Sequence, residues 1–149
     1  MIMTRTLVFF DTSVLFSALY SSKGGSYVLI EHVKKGIIQG ITSQTVIDEL
    51  STNIIKIDRV SQTNINNLII NNHFIVCNDI PYEDIHPWIG KVEEKDIHVL
   101  VGALSTNCEY LVTLDKKHLH TPKIQSLCKE MRVVTPKELL AMIKYRETH

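Results

Sequence analysis

TLVFFDTSVLFSALY, residues 6–20, decides the architecture. Its first five residues, Thr6–Phe10, form an unbroken apolar, β-rich run, the pattern of a buried strand. Asp11 follows at once, then Thr12 and Ser13, and the pattern turns helical from Ser13 to Tyr20. The alternation continues downstream. Gly24 and Gly25 break the first helix, Ser26 is placed to cap a second over Tyr27–Lys35, and Gly36 stops it. Ile37–Thr42 reads as a strand, and Ser43 caps a helix over Gln44–Ile57. Another helix is expected over Ser61–Asn72, then a strand over Phe74–Cys77. Pro81 and Pro87 bracket an irregular or short helical segment. Asp96–Thr106 is helical and apolar on nearly every side, hence largely buried. The chain closes with a strand at Tyr110–Leu114, a helix at Pro122–Met131, a strand at Val133–Val134 and a helix over Lys137–Tyr145, started by Pro136. Short apolar strands alternating with helices imply an α/β fold, with a parallel sheet covered by helices on both faces.

The composition agrees. The 149 residues suit a single domain spanning 1–149, and 44% hydrophobic against 21% charged residues describes a globular chain with a sizeable core. No stretch is apolar and long enough to span a bilayer. The segment Leu7 to Leu19 is interrupted by Asp11, Thr12 and Ser13, so it reads as core rather than as a signal peptide. Cys77, Cys108 and Cys128 are odd in number and far apart, which fits reduced thiols in a cytoplasmic protein and not a zinc site. The formal net charge of zero hides an asymmetry. Residues 1–115 hold 8 Lys/Arg and 13 Asp/Glu, whereas residues 116–149 hold 8 and 3. A basic C-terminal portion begins directly after Asp115. It is suited to a phosphate backbone, or alternatively forms solvated helix faces.

Four carboxylates stand beside core-forming segments: Asp11 in VFFDTSVL, Glu49 in VIDEL, Asp96 in EEKDIHVLVGAL and Asp115 in VTLDKKH. Each has an ordinary explanation. Asp11 can cap a helix, Asp96 suits the first turn of one, Asp115 suits a turn, and Glu49 can be solvated. Helix phase separates Glu49 from Asp48. With Val46, Ile47, Leu50, Ile54 and Ile57 as the apolar stripe, Asp48 points away and Glu49 lies at the border. Because ligands in such sheets gather at the carboxyl ends of the strands, Asp11 and Asp115 fall on one edge. Four acids brought together repel one another until a divalent cation neutralises them, and such a cluster suits metal-assisted phosphoryl chemistry. Thr113 precedes Asp115 on the same strand face and can donate a hydrogen bond there. Neither a nucleophilic Ser/His/Asp set nor a glycine-rich phosphate loop competes, since Gly24-Gly25 lacks the strand–GxGxxG–helix context.

The ordered set FFDTSVL, VIDEL, KDIHVLVGAL and VTLDKKHL resembles the PIN domain family, from Thr6 to about Pro136. Length and compactness are similar to stand-alone bacterial or archaeal PIN proteins, including VapC-type toxins. The resemblance implies a three-layer α/β/α fold with about five parallel strands and a metal-dependent endoribonuclease. Asp11, Glu49, Asp96 and Asp115 would hold one or two Mg²⁺ or Mn²⁺ ions. Ser13 and Thr113 would orient carboxylates or water, and Lys116 and Lys117 are candidate phosphate contacts. It further implies an RNA substrate, a homodimer and, for a toxin, an antitoxin partner. Ile65, Leu68 and Ile69 offer either a dimer face or core packing. One departure stands out: many relatives carry another acid shortly after the Asp115 position, where this chain has Lys117, His118 and Leu119. A complete second metal position is therefore not expected from the protein alone, which leaves a one-metal site or a two-metal site completed by substrate. His118 reads as a surface histidine and His98 as a partly buried one, with a role at the site as the alternative for each. A haloacid-dehalogenase phosphatase needs a second Asp where Ser13 stands, and a response-regulator receiver needs paired acids that are missing. A housekeeping RNA-processing nuclease and a non-catalytic RNA-binding or interaction module remain alternatives.

Overall fold

The computed structural model describes residues 5–54, 60–78 and 80–149. Among them five strands form one parallel sheet in the order β3-β2-β1-β4-β5. The strands are β1 (Thr6–Phe10), β2 (Ile38–Ser43), β3 (Ile75–Cys77), β4 (Tyr110–Val112) and β5 (Arg132–Val134). Between β1 and β2 run α1 (Thr12–Tyr20) and α2 (Gly25–Lys34). Between β2 and β3 run α3 (Gln44–Ile54) and α4 (Gln62–Asn71). The connection from β3 to β4 holds α5 (Tyr82–Ile85), a 3₁₀ turn (His86–Trp88) and α6 (Glu94–Ser105). Then α7 (Pro122–Leu127) leads into β5, and α8 (Pro136–Thr148) follows it.

The sheet is built outward from β1, which pairs with β2 on one side and β4 on the other. This is where the strand order changes direction, and a crevice opens at the carboxyl ends of strands flanking such a point. The TLVFF run suits that position, because Val8, Phe9 and Phe10 are fully buried on both faces of the pleat. Phe9 faces α6, where a Cβ on Gly102 would lie 3.1 Å from its ring, so the glycine lets α6 lie close to the sheet. Phe10 points to the other face and meets Phe74 edge-on, with ring centroids 5.1 Å apart. Gly40 on β2 leaves room for Phe74, whose ring atom would sit 2.6 Å from an added Cβ. All of β2 is buried, including Gln39, whose amide donates to the Gly40 and His73 carbonyls at 3.0 and 2.9 Å.

Several expected boundaries shift for physical reasons. Helix α2 starts at Gly25 with Gly24 as its cap, and Ser26 is buried in the first turn instead of capping it. Gly36 does end that helix region, at φ +78°. The expected reach of α3 to Ile57 lies outside the described residues. The strand expected to run to Leu114 ends at Val112, because the Thr113 and Ser13 side chains take over the next hydrogen bonds. Helix α7 stops at Leu127, well short of Met131. Gln125 bonds the carbonyls of Cys128 and Met131 and accepts from Val133 N–H, which turns the chain into β5. On α4, Ile65 is core, and Leu68 and Ile69 pack against it, so core packing accounts for the three side chains proposed for a dimer face. Among the described residues no helix is long and apolar enough to cross a membrane.

Candidate active site

The crevice at the end of β1 is a cavity of about 730 Å³. Asp11, Thr12 and Ser13 line it from the start of α1, Glu49 and Asn53 from α3, Lys95 and Asp96 from α6, and Leu114 and Asp115 from the loop after β4. Phe16 and Tyr20 form an apolar wall, their rings stacked at 6.4 Å and nearly parallel.

Asp11 caps α1 and is held on three sides. Its Oδ1 accepts from Thr12 N–H at 2.8 Å, and its Oδ2 accepts from the hydroxyls of Ser13 at 2.9 Å and Thr113 at 2.7 Å. The same hydroxyls tie the neighbouring strand end to this one. Ser13 Oγ accepts from Leu114 N–H at 3.1 Å, and Thr113 Oγ1 accepts from Asp115 N–H at 3.0 Å. Capping and site geometry are therefore one arrangement: the hydrogen bonds that start α1 also fix the carboxylate against β4.

Asp115 opens a tight loop. Its Oδ1 accepts from the N–H groups of Lys117 and His118 at 3.1 and 2.9 Å, an Asx-type turn. Its carbonyl accepts from Leu119 and His120, which folds His118 back over it. His118 Nδ1 lies 3.4 Å from Asp115 Oδ2. Lys116 and Lys117 are exposed on the outside of this turn.

Asp96 sits in the first turn of α6, 7% exposed, and its Oδ2 is buried with no hydrogen-bond partner. Burial pushes its carboxyl up from 3.8 to about 6, and the negative charges of Asp115 and Asp11 add to the rise, while Lys95 and His118 oppose it. An unpaired carboxylate in such a place is costly by itself. Ligand atoms of Asp96, Asp115 and His118 lie within 4.8 Å of one another. Among the described residues this is the tight group suited to a cation. Asp11 and Glu49 line the same cavity but stand outside that group.

On α3, Asp48 is exposed and accepts from Gln44 Nε2 at 2.9 Å, whereas Glu49 turns toward the cavity. Glu49 Oε2 accepts from Thr12 Oγ1 at 3.2 Å, and Oε1 lies 2.6 Å from His98 Nε2. That second contact is close but lies off the line of a well-aligned hydrogen bond. Two imidazoles thus join the carboxylates. Both stand in the quoted motifs, His98 two residues after Asp96 and His118 three after Asp115, but spacing along the chain does not disclose that His98 crosses to Glu49. The aromatic wall carries an i, i+4 signal on the helix that Asp11 caps.

Comparison with known proteins identifies the fold and the family. The PIN domain family profile matches residues 7–117. No curated protein matches the chain. Among solved structures, VapBC2 from Rickettsia felis, determined bound to a DNA fragment from its promoter, superposes with a TM-score of 0.61 at 14% identity. That match covers 87% of this chain and 98% of the other. PAE2754 from Pyrobaculum aerophilum matches with a TM-score of 0.61 at 17% identity, over 94% of this chain and 90% of its own. VapC20 of Mycobacterium tuberculosis, a toxin that cleaves the sarcin–ricin loop, matches with a TM-score of 0.53 at 13% identity, over 74% and 91%. At these identities the superpositions speak to the fold. The profile match spans most of the chain, including all four acidic motifs up to Lys117, and the chain belongs to the PIN domain family.

Proposed function

We propose that the chain is a metal-dependent endoribonuclease and the toxin of a toxin–antitoxin pair. The observation that carries the reading is the buried, unpartnered Asp96 Oδ2, set against Asp115 in a cavity that Asp11 and Glu49 also line. Oxygen donors and a partnerless carboxylate fit Mg²⁺ or Mn²⁺, with Asp11, Glu49, Asp96 and Asp115 as the residues to hold it. A cation bound there would supply Lewis acidity to phosphodiester hydrolysis, favouring water as the nucleophile and offsetting charge at phosphorus.

The protein groups do the rest. Ser13 and Thr113 fix the Asp11 carboxylate, so no reorganisation is needed when charge develops. Glu49, which accepts from Thr12 and lies close to His98, lines the same cavity as Asp11. The water oxygen forms a bond to phosphorus as its proton passes to solvent, the bond from phosphorus to the leaving oxygen breaks, and that oxygen takes up a proton from solvent. Lys116 and Lys117 directly follow Asp115 and are exposed, so they would hold flanking phosphates of an otherwise repelled polyanion. The Phe16–Tyr20 wall suits the apolar face of an unpaired base. Support for the toxin assignment comes from the fold shared with VapBC2 and VapC20.

The test is incubation of the purified chain with structured RNAs in Mn²⁺ or EDTA, beside Asp96→Asn. Cleavage by wild type in Mn²⁺, abolished by EDTA and by the substitution, is expected. Equal cleavage by Asp96→Asn would assign the activity to a contaminant. Growth arrest on expression, relieved by the product of an adjacent small reading frame, is the corresponding test of the toxin role.

A further inference from the structure

His118 is the one residue of the tight donor group that is not an acid. Its position follows from the loop: Asp115 Oδ1 and the Asp115 carbonyl are both occupied by backbone N–H groups, which brings the imidazole over Asp115 Oδ2. At 3.4 Å, Nδ1 is too far for a well-formed hydrogen bond to that oxygen. Asp96 Oδ2, opposite, has no partner and is buried. Three donor atoms therefore approach one another within 4.8 Å without satisfying each other. An ion with bonds of about 2.1 Å is reached from this spread by small side-chain rotations. The side chains of Asp115 and His118 are 23% and 26% exposed, so the group is open to solvent on one side, as a site with free coordination positions needs.

We propose that His118 is a nitrogen ligand to the cation, adding one imidazole to the carboxylates, beside Asp96 and Asp115, and that the site thereby selects first-row transition ions such as Mn²⁺ or Co²⁺ over Mg²⁺. This rests on the metal-dependent reading above and deepens it. The chemical reason is ligand softness. Carboxylate and water suit Mg²⁺, whereas imidazole raises affinity for transition ions along the series from Mn²⁺ to Cu²⁺ and does little for Mg²⁺.

The experiment is cation binding by the full chain, measured without RNA. Calorimetric titration with Mn²⁺ and with Mg²⁺ gives the selectivity, and electron spin-echo spectra of the Mn²⁺ complex report a directly bonded nitrogen. Wild type is expected to bind Mn²⁺ at least about tenfold more tightly than Mg²⁺ and to show the nitrogen modulation. His118→Ala should lose the modulation and about tenfold or more in Mn²⁺ affinity. His118→Asp should keep Mn²⁺ binding, lose the modulation and narrow the Mn²⁺/Mg²⁺ ratio. A nitrogen signal that survives His118→Ala, or vanishes only in His98→Ala, overturns the inference and leaves the metal-dependent reading standing. Absence of binding by wild type, with Asp96→Asn indistinguishable from it, overturns both.

Discussion

Replacing Asp96 by Asn should stabilise the metal-free protein. The group is 7% exposed, its Oδ2 has no partner, and its carboxyl is raised from 3.8 to about 6 by burial and then by the Asp115 and Asp11 charges. Carrying a charge at neutral pH against that rise, at roughly 1.4 kcal/mol per unit, costs the native state about 3 kcal/mol. Asn removes the cost and forfeits only the favourable interaction of an acid with the first turn of α6, about 0.5 kcal/mol. The net gain is about 2–3 kcal/mol, which for this chain length corresponds to a melting temperature higher by roughly 5–10 °C. The sign follows from proton binding. Between pH 4 and 6 the native state binds the proton and the unfolded state releases it, so wild-type stability falls as pH rises through that window. The advantage of Asp96→Asn should therefore be absent below pH 4 and complete above pH 7. Thermal melts in EDTA at pH 4 and pH 8 measure it. Adding Mn²⁺ at pH 8 should raise the wild-type midpoint and leave the variant unmoved. A variant equal to or weaker than wild type at pH 8 in EDTA, or a pH-independent difference, would refute the electrostatic reasoning.

Three further outcomes are expected. Thr113→Val leaves Asp115 N–H without its acceptor and Asp11 Oδ2 without its shortest donor, so urea denaturation should show a loss of about 1–3 kcal/mol, largely restored in Thr113→Ser; an unchanged midpoint counts against the hydroxyl as a site organiser. Glu49→Gln should lower RNA cleavage about 10–100-fold while Asp48→Asn leaves it unaltered, because Asp48 faces solvent beside Gln44; equal effects would mean that the phase of α3 is misassigned. Gly40→Ala drives a Cβ to 2.6 Å from the Phe74 ring and should cost about 1–3 kcal/mol in the same urea assay; full retention of stability would show that Phe74 repacks freely.

What the amino-acid sequence discloses here, and what it conceals, follows the range of the interactions. Strand β1 runs over the residues its apolar run marks, Thr6–Phe10, because burial on both faces demands such a run. Strand alternation was enough to put Asp11 and Asp115 at one sheet edge, and helix phase was enough to tell Glu49 from Asp48, since both depend on local periodicity. Boundaries set by tertiary hydrogen bonds were not legible: Gln125 stops α7 by reaching β5, and Thr113 ends β4 by turning to Asp11. The cap of α2 is not legible because a serine is the better intrinsic cap, yet Ser26 is drawn inward and buried at 3% exposure, and Gly24 takes the cap position. The histidines were the least legible. A contact between residues 49 and 98 depends on how α3 and α6 pack, which no spacing along the chain encodes.

The central place of β1 has one more consequence, for motion. Its amides are paired to β2 and β4 and sheathed on both faces, so they should exchange with solvent only through global opening. Asp11 emerges from the end of this strand and is itself bonded to Val112 O through its N–H, at 3.2 Å. The mutual repulsion of the acids is thus anchored in the part of the molecule that opens last. Charge at the crevice then cannot be relieved by loosening a loop around Asp11. It weighs on the cooperative stability of the whole sheet, and neutralising it should slow amide exchange across β1, β2 and β4 together.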